Sequence, residues 1–194
     1  MMKNELGRRL FHLGIGILIV GLIYFDIINA KIMLVVVLIG LALSLISLKV
    51  KIPIIYWFLS RLDRKEDMKK FPGKGAFFYS IGVFLVLLFF DKDIAMASVI
   101  ILAIGDSIAP LIGRYGSVKH PFSEKKFLEG TLGAGIIAFL GAMLFVAPIE
   151  AALASFAAMI AEGIDLRLGI NHLDDNIIMP LAAGIVIWIL RLVI

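Results

Sequence analysis

The chain has no cysteine, which excludes disulfides and thiolate metal sites. It has little charge: Asp, Glu, Lys and Arg make up 18% of it, against about a quarter in soluble domains. It has no polar linker that would divide it and no convincing internal repeat. No small-residue cleavage site follows the first apolar run behind Arg8 and Arg9, so that run is expected to stay and span. What the chain has in excess is apolar surface, with 61% hydrophobic residues and a mean hydropathy of +1.04. A soluble globule of 194 residues cannot cover that much, whereas lipid accepts it. The expected fold is an all-α integral membrane protein, with 1–194 forming one membrane-embedded domain.

Apolar runs predict about seven spans, at 8–25, 31–48, 76–90, 94–112, 131–147, 150–164 and 177–193. The runs at 76–90 and 150–164 are short for a bilayer. Ile52 to Leu59 is shorter still and carries Tyr56 and Trp57 between Lys51 and Arg61, the composition of an interfacial helix. With the N-terminus inside, sixteen of the 19 lysines and arginines fall on its side, and only Lys31, Lys92 and Arg191 on the other. That asymmetry predicts a cytoplasmic N-terminus.

Four polar constellations then face the same side. Glu5, Arg9, His12 and Gly16 recur every three to four residues and form one stripe at the mouth of the first span. Phe71-Pro72-Gly73-Lys74-Gly75 is a glycine-bracketed lysine entering a helix, where backbone amides can hold a phosphate. It is no P-loop, since G-x-x-x-x-G-K-[ST] occurs nowhere.

The fourth span ends in Gly105-Asp106-Ser107 through Gly113-Arg114-Tyr115-Gly116, so Asp106 sits behind an unbroken apolar run from Ile94. A lone aspartate at that depth costs about 2.5–3.5 kcal/mol and must be paired, hydrated or bound to a cation. Further on, Lys125, Lys126 and Glu129 precede a glycine-rich helix start. Lys126 and Glu129 are expected as neighbours on one helix face. Lysines ahead of a carboxylate suit a polyphosphate and its metal. Last come Glu162 and Asp165, then Asp174-Asp175-Asn176 with Pro180, whose hard oxygens near phosphate-binding lysines suggest Mg²⁺.

In order, E-x-x-R-x-x-x-H at Glu5–His12, P-G-x-G at Pro72–Gly75, G-D-x-x-A-x-x-x-G-R-x-G at Gly105–Gly116, K-K-x-x-E-G at Lys125–Gly130 and D-D-N-x-x-x-P at Asp174–Pro180 resemble the CTP-dependent polyprenol kinase family. That family includes dolichol kinases, phytol kinases and yeast-type diacylglycerol kinases, and is related to the phosphatidate cytidylyltransferases. The middle two motifs, Gly105–Gly116 and Lys125–Gly130, are shared with the cytidylyltransferases and imply CTP and Mg²⁺ without choosing the reaction. A cytidylyltransferase is expected to end in S-x-x-K-R…K-D…H-G-G-x-x-D-R. The chain has no H-G-G, and its Asp174–Pro180 segment is similar to the kinase branch.

The resemblance implies transfer of the γ-phosphate of CTP to a membrane isoprenoid alcohol of the dolichol, polyprenol, phytol or geranylgeraniol type. It implies catalytic roles for Asp106, Lys126, Glu129, Asp174 and Asp175, and Mg²⁺ on Asp106, Glu129 and Glu162. Lys74, Arg114, Lys125, Lys126 and Asn176 would bind the nucleotide and its phosphates, with Arg9 and His12 beside the acceptor. Expected partners are CTP, the lipid alcohol and the bilayer, with no nucleic acid. The site would lie toward the cytoplasm of the cell membrane, where nucleotide and headgroup meet. A cytidylyltransferase making a CDP-activated lipid is the alternative enzyme. A membrane transporter is the alternative class, disfavoured because carriers usually show repeats with broken helices at the midplane.

Overall fold

A computed structural model describes residues 2–63, 66–164, 167–168, 171–172 and 174–193; the side chains of 2–5, 124–125, 167–168 and 171–172 lie outside the description. It is nearly all-α. The elements are α1 (Met2–Tyr24), α2 (Ala30–Ser47), α3 (Pro53–Leu62), α4 (Asp67–Lys70), α5 (Lys74–Phe89), α6 (Lys92–Gly113), β1 (Lys119–His120), β2 (Ser123–Phe127), α7 (Leu128–Ala142), α8 (Pro148–Gly163), β3 (Arg167–Leu168), β4 (Asn171–His172) and α9 (Asp175–Val193). Each expected span coincides with a helix. Among the described residues α1, α2, α6 and α9 are long and apolar enough to cross a membrane by themselves, and α5 and α7 are shorter apolar helices.

The axis of the bundle is α6. Every residue from Ile94 to Gly105 is buried, because α1, α5, α7, α8 and α9 all pack on it. A helix apolar on all sides is a core helix. By contrast, α1 and α2 bury only a narrow face and leave Leu10, Ile17, Leu18, Val35, Leu38 and Ile39 outward, as lipid-facing helices do. The amphipathic α3 leaves Ile54, Trp57 and Phe58 exposed, with the Arg61 guanidinium 3.8 Å from the Trp57 ring centre, as the interfacial reading expects.

At one end, Arg191 of α9 joins α8 and α6, with Nε donating to Glu150 Oε1 at 2.8 Å and Nη2 to Asp93 Oδ2 at 2.7 Å. Nearby Lys92 donates to Asp26 Oδ1 at 2.6 Å. The motif-bearing ends of α1, α5, α6, α7, α8 and α9 gather at the other end.

Three expectations are corrected. The chain is not wholly helical: β1 pairs antiparallel with β2, and β3 with β4. Lys126 therefore lies on a strand, and the extended Phe127 (φ −121°, ψ 142°) turns the chain before α7 begins, so Lys126 and Glu129 share no helix face. The span expected at 131–147 closes at Ala142. Residues 143–147 form the turn, because Pro148 can only begin the next helix.

Two helix contacts depend on missing side chains. A Cβ on Gly16 would overlap Ala103, and one on Gly82 would overlap the Asn176 carbonyl of α9. The second is backbone and cannot yield. Gly82→Ala is expected to cost about 1–3 kcal/mol, the usual penalty of overpacking, read as a lower thermal midpoint in detergent. Gly21→Ala, which meets nothing within 4 Å, should be neutral.

Candidate active site

Pro110 sits inside α6 and has no N–H, so the carbonyl of Asp106, four residues earlier, loses its helical donor. Arg9 of α1 replaces it. Its Nη1 donates to the Asp106 carbonyl at 2.6 Å and to Asp106 Oδ1 at 2.8 Å. His12, one turn on, places Nδ1 3.3 Å from Asp106 Oδ2, an electrostatic contact short of a well-aligned hydrogen bond. The stripe on α1 thus meets the deep aspartate of α6. Tyr79 of α5 closes over the imidazole edge-on at 5.4 Å. The far edge of the ring faces Gly75, where a Cβ would lie 3.9 Å from His12 Nε2.

The turn before α5 brings Lys74 to the same place. Gly73 has φ +79°, a left-handed conformation that favours glycine, and its N–H donates to Asp63 Oδ2 at 2.5 Å. Partial burial pushes the Asp63 carboxyl above its usual range, against the pull of that N–H and of Arg8. Asp63 carries no motif. Only its partner, the positive-φ glycine, could have pointed to it, and a helix, α4, intervenes between them.

A second centre forms where α8 ends and α9 begins. Lys126 Nζ contacts Glu162 Oε1 at 2.8 Å, donates to the Glu162 carbonyl, and reaches Asp175 Oδ2 at 3.3 Å. Burial disfavours the ammonium, but the two carboxylates outweigh it and hold its pKa above the ordinary lysine value. Asp174 Oδ1 accepts from Asn176 N at 3.2 Å and Nδ2 at 2.7 Å, ordering the start of α9. Among the described residues, Glu162 Oε2 and Asn176 Oδ1 are buried without a hydrogen-bond partner.

Two cavities open on these groups. One, of about 450 Å³, is walled by Arg8, Arg9, His12, Asp63, Lys74, Asp106 and Asp174–Asn176 among others. The other, of about 730 Å³, takes in Arg114, Lys126, Thr131 and Glu162. They share Arg9, Asp106 and Asp175. Both sizes are those of small-molecule sites. Arg114 reaches its cavity from the end of α6, its guanidinium 4.5 Å from the Tyr115 ring centre.

Not every expected site residue joins in. Glu129 turns away. Its Oε1 accepts from Ser117 N at 2.8 Å and Val118 N at 3.0 Å, so it fastens the segment after α6. The Lys125 side chain, like those of Glu5 and Asp165, lies outside the described residues. Asp106, Glu129 and Glu162, expected to share a cation, have three separate sets of partners, and no three Asp, Glu or His side chains among the described residues form a metal cage. Mg²⁺ does not need such a cage, since it is commonly held by one or two carboxylates together with substrate phosphates. Glu162 has an unpaired Oε2, and it and Asp175 both line the larger cavity.

The chain is 28% identical to an uncharacterized protein of Methanocaldococcus jannaschii over 95% of its length and 93% of that protein's. It is 26% identical to the CTP-dependent diacylglycerol kinase 1 of Eremothecium gossypii over 94% of its length, and 27% identical to the phytol kinase 1 of Arabidopsis thaliana over 74%. It spans 66% of the first of these kinases and 49% of the second. No family model matches the chain, and no solved structure does. Its homologues of named activity are thus CTP-dependent diacylglycerol kinases and phytol kinases, in line with the motifs.

Removing the Lys126 charge leaves Glu162 buried and uncompensated. Lys126→Met is expected to destabilise the protein by up to about 3–5 kcal/mol, the range for a broken buried pair, reduced by the partial exposure of Lys126. Adding Glu162→Gln should recover part of the loss in a double-mutant cycle of thermal midpoints. Strictly additive losses would mean the two groups do not interact.

Proposed function

We propose that this chain is a multi-pass membrane enzyme that transfers the γ-phosphate of CTP to the hydroxyl of a membrane lipid alcohol. The observation that carries the proposal is convergence. Arg9 and His12, Gly73–Gly75, Asp106 and Arg114, Lys126, and Asp174–Asn176 come from five segments spread along the sequence. All wall the two adjoining cavities. The kinase names of the homologues give that convergence its chemistry.

In this reading all seven longer helices span, and the N-terminus and the cavities face the cytoplasm of the cell membrane. The end that holds Lys92 and Arg191 faces out, in keeping with the basic asymmetry of the sequence. Nucleotide then enters from water and the acceptor hydroxyl from the headgroup layer. The whole of 1–194 serves as one catalytic domain. The acceptor belongs either to the isoprenoid alcohols the motifs suggest or to the diacylglycerols named for two of the relatives.

Phosphoryl transfer asks for position and charge neutralisation more than covalent work by the protein. The acceptor oxygen forms a bond to the γ-phosphorus as the bond to the β,γ-bridging oxygen breaks, and CDP leaves with that electron pair. The hydroxyl proton passes to His12 Nε2. Asp106 beside Nδ1 favours the tautomer that leaves Nε2 free to accept it, and Arg9 holds Asp106 in place. Lys74, Arg114 and Lys126 neutralise the phosphates, a role the motif also gives to Lys125. Asp174 fixes Asn176, whose unpaired Oδ1 is available to the nucleotide. Mg²⁺, when bound to Glu162 and Asp175 with the phosphates, supplies further charge neutralisation. Glu129 supports the site from behind by holding the segment after α6.

The purified protein, given CTP with diacylglycerol and isoprenoid acceptors, should place γ-³²P label in lipid and leave the α-label in CDP. Cytidine entering lipid with release of pyrophosphate would establish a cytidylyltransferase instead. Solute uptake into proteoliposomes without nucleotide would establish a carrier. His12→Ala and Asp106→Asn should each lower kcat by about 10²–10⁴-fold, the usual worth of a positioned base. Undiminished kcat in His12→Ala would remove it from proton transfer.

A further inference from the structure

A third hollow, of about 190 Å³, lies between α2, α3 and α5 and is walled mainly by Val36, Val37, Leu43, Ile55 and Phe77. It is continuous in its lining with the cavity at His12, since Leu59, Gly73 and Ala76 belong to both. Gly75, which faces His12 Nε2, lies between the shared residues Gly73 and Ala76.

The hollow is apolar apart from three serines, Ser44, Ser47 and Ser80. Beyond Lys31, the only polar residues of α2 are Ser44 and Ser47, and both line it. Val37, Gly40, Ser44 and Ser47 recur every three to four residues, so the two hydroxyls belong to the stripe turned toward α5, and not to the lipid-facing side. Ser44 is only 4% exposed. Among the described residues neither Ser44 Oγ nor Ser47 Oγ has a hydrogen-bond partner, although serines in apolar helices commonly bond back to the preceding turn. Ser80, on the opposite wall, does so, with Oγ donating to the Ala76 carbonyl at 2.9 Å. Two buried, unpaired donors in a hollow whose third serine is already bonded to its own helix call for acceptors on whatever fills it.

We propose that this hollow seats the glycerol-proximal part of the acceptor, and that Ser44 and Ser47 select a diradylglycerol over a plain long-chain alcohol. This rests on the kinase reading and narrows its acceptor. A phytol or polyprenol chain has no oxygen beyond its single hydroxyl, so with that hydroxyl at His12 it leaves both serines unpaired. A diradylglycerol carries two ester or ether oxygens within a few bonds of its free hydroxyl. Ser47 closes α2 at the motif-bearing end of the bundle, and Ser44 lies about 4.5 Å deeper along the axis. That stagger suits two oxygens following the hydroxyl into the membrane. Each accepts from one serine while the chains continue between α2 and α5.

The test compares kcat/KM for dioleoylglycerol and for phytol in the wild type and in Ser44→Ala/Ser47→Ala. The proposal expects a wild-type preference for dioleoylglycerol that falls about 10-fold or more in the double variant, the loss that two hydrogen bonds give. A variant that merely packs worse would lower both values and leave their ratio unchanged. An unchanged ratio, or a wild-type preference for phytol, overturns the proposal.

A binding measurement separates this from the kinase reading itself. A diacylglycerol with a photoreactive group on its first acyl carbons should, without CTP, label residues 36–47 of α2, in competition with dioleoylglycerol but not with phytol. That labelling in a protein that phosphorylates no lipid would support the seat and sink the kinase. Phosphorylation of lipid with labelling elsewhere would keep the kinase and sink the seat.

Discussion

The contact between Arg9 and Asp106 is the constraint on which the rest of the site depends. The core helix α6 is buried from Ile94 to Gly105 and then presents a carboxylate where lipid-like packing would reject one. Pro110 compounds the cost by freeing the Asp106 carbonyl. One guanidinium answers both, at 2.6 Å and 2.8 Å. The price of the buried acid is thereby converted into a fixed position for α1. That position fixes His12, and α5 must follow so that Tyr79 and Gly75 enclose the imidazole. The same device recurs in α9. Pro180 frees the carbonyl of Asn176, and Gly82 of α5 lies against that carbonyl without a side chain between them. In both helices an aspartate or asparagine four residues before a proline sits where a bundle helix must give up a backbone hydrogen bond.

The second centre works by the same economy of charge. Lys126 reaches a carbonyl in the last turn of α8 and carboxylates from both α8 and α9, so the C-terminal dipole of α8 and two acids together hold the cation. The two centres adjoin, because Asp175 and Asp106 line a common wall. In the proposed enzyme a polyphosphate would meet cations already held in place, which is the preorganisation phosphoryl transfer requires. At the opposite end Arg191, Asp93 and Glu150 satisfy one another and hold α6, α8 and α9 together. One end of the bundle is closed by matched charge, and the other keeps cavities among its charges.

Much of this was legible in the sequence, because lipid makes composition a strong constraint. The apolar runs locate every long helix, and the spacing of Arg9 and His12 predicts the face that meets a buried group. The depth of Asp106 demanded a partner, though not which one. The strand at Ser123–Phe127 was not legible, since Lys126 and Glu129 at a spacing of three read equally well as helix. Their opposite directions depend on the extended backbone at Phe127, a tertiary outcome. The expected metal set of Asp106, Glu129 and Glu162 failed to assemble for the same reason, as sequence counts carboxylates without their donors. Asp63 was invisible because its importance lies in a single bond to the Gly73 amide across α4.

The central claim is that five separated segments build one site for nucleotide and acceptor around Arg9 and Asp106. Hydrogen exchange of the backbone amides with and without CTP and Mg²⁺ tests it most directly. The account predicts joint protection of residues 8–12, 72–76, 105–116, 126–130 and 174–178 on adding CTP, with the far end around Arg191 unchanged. Protection confined to one of these segments, or none in the presence of saturating CTP, would contradict it.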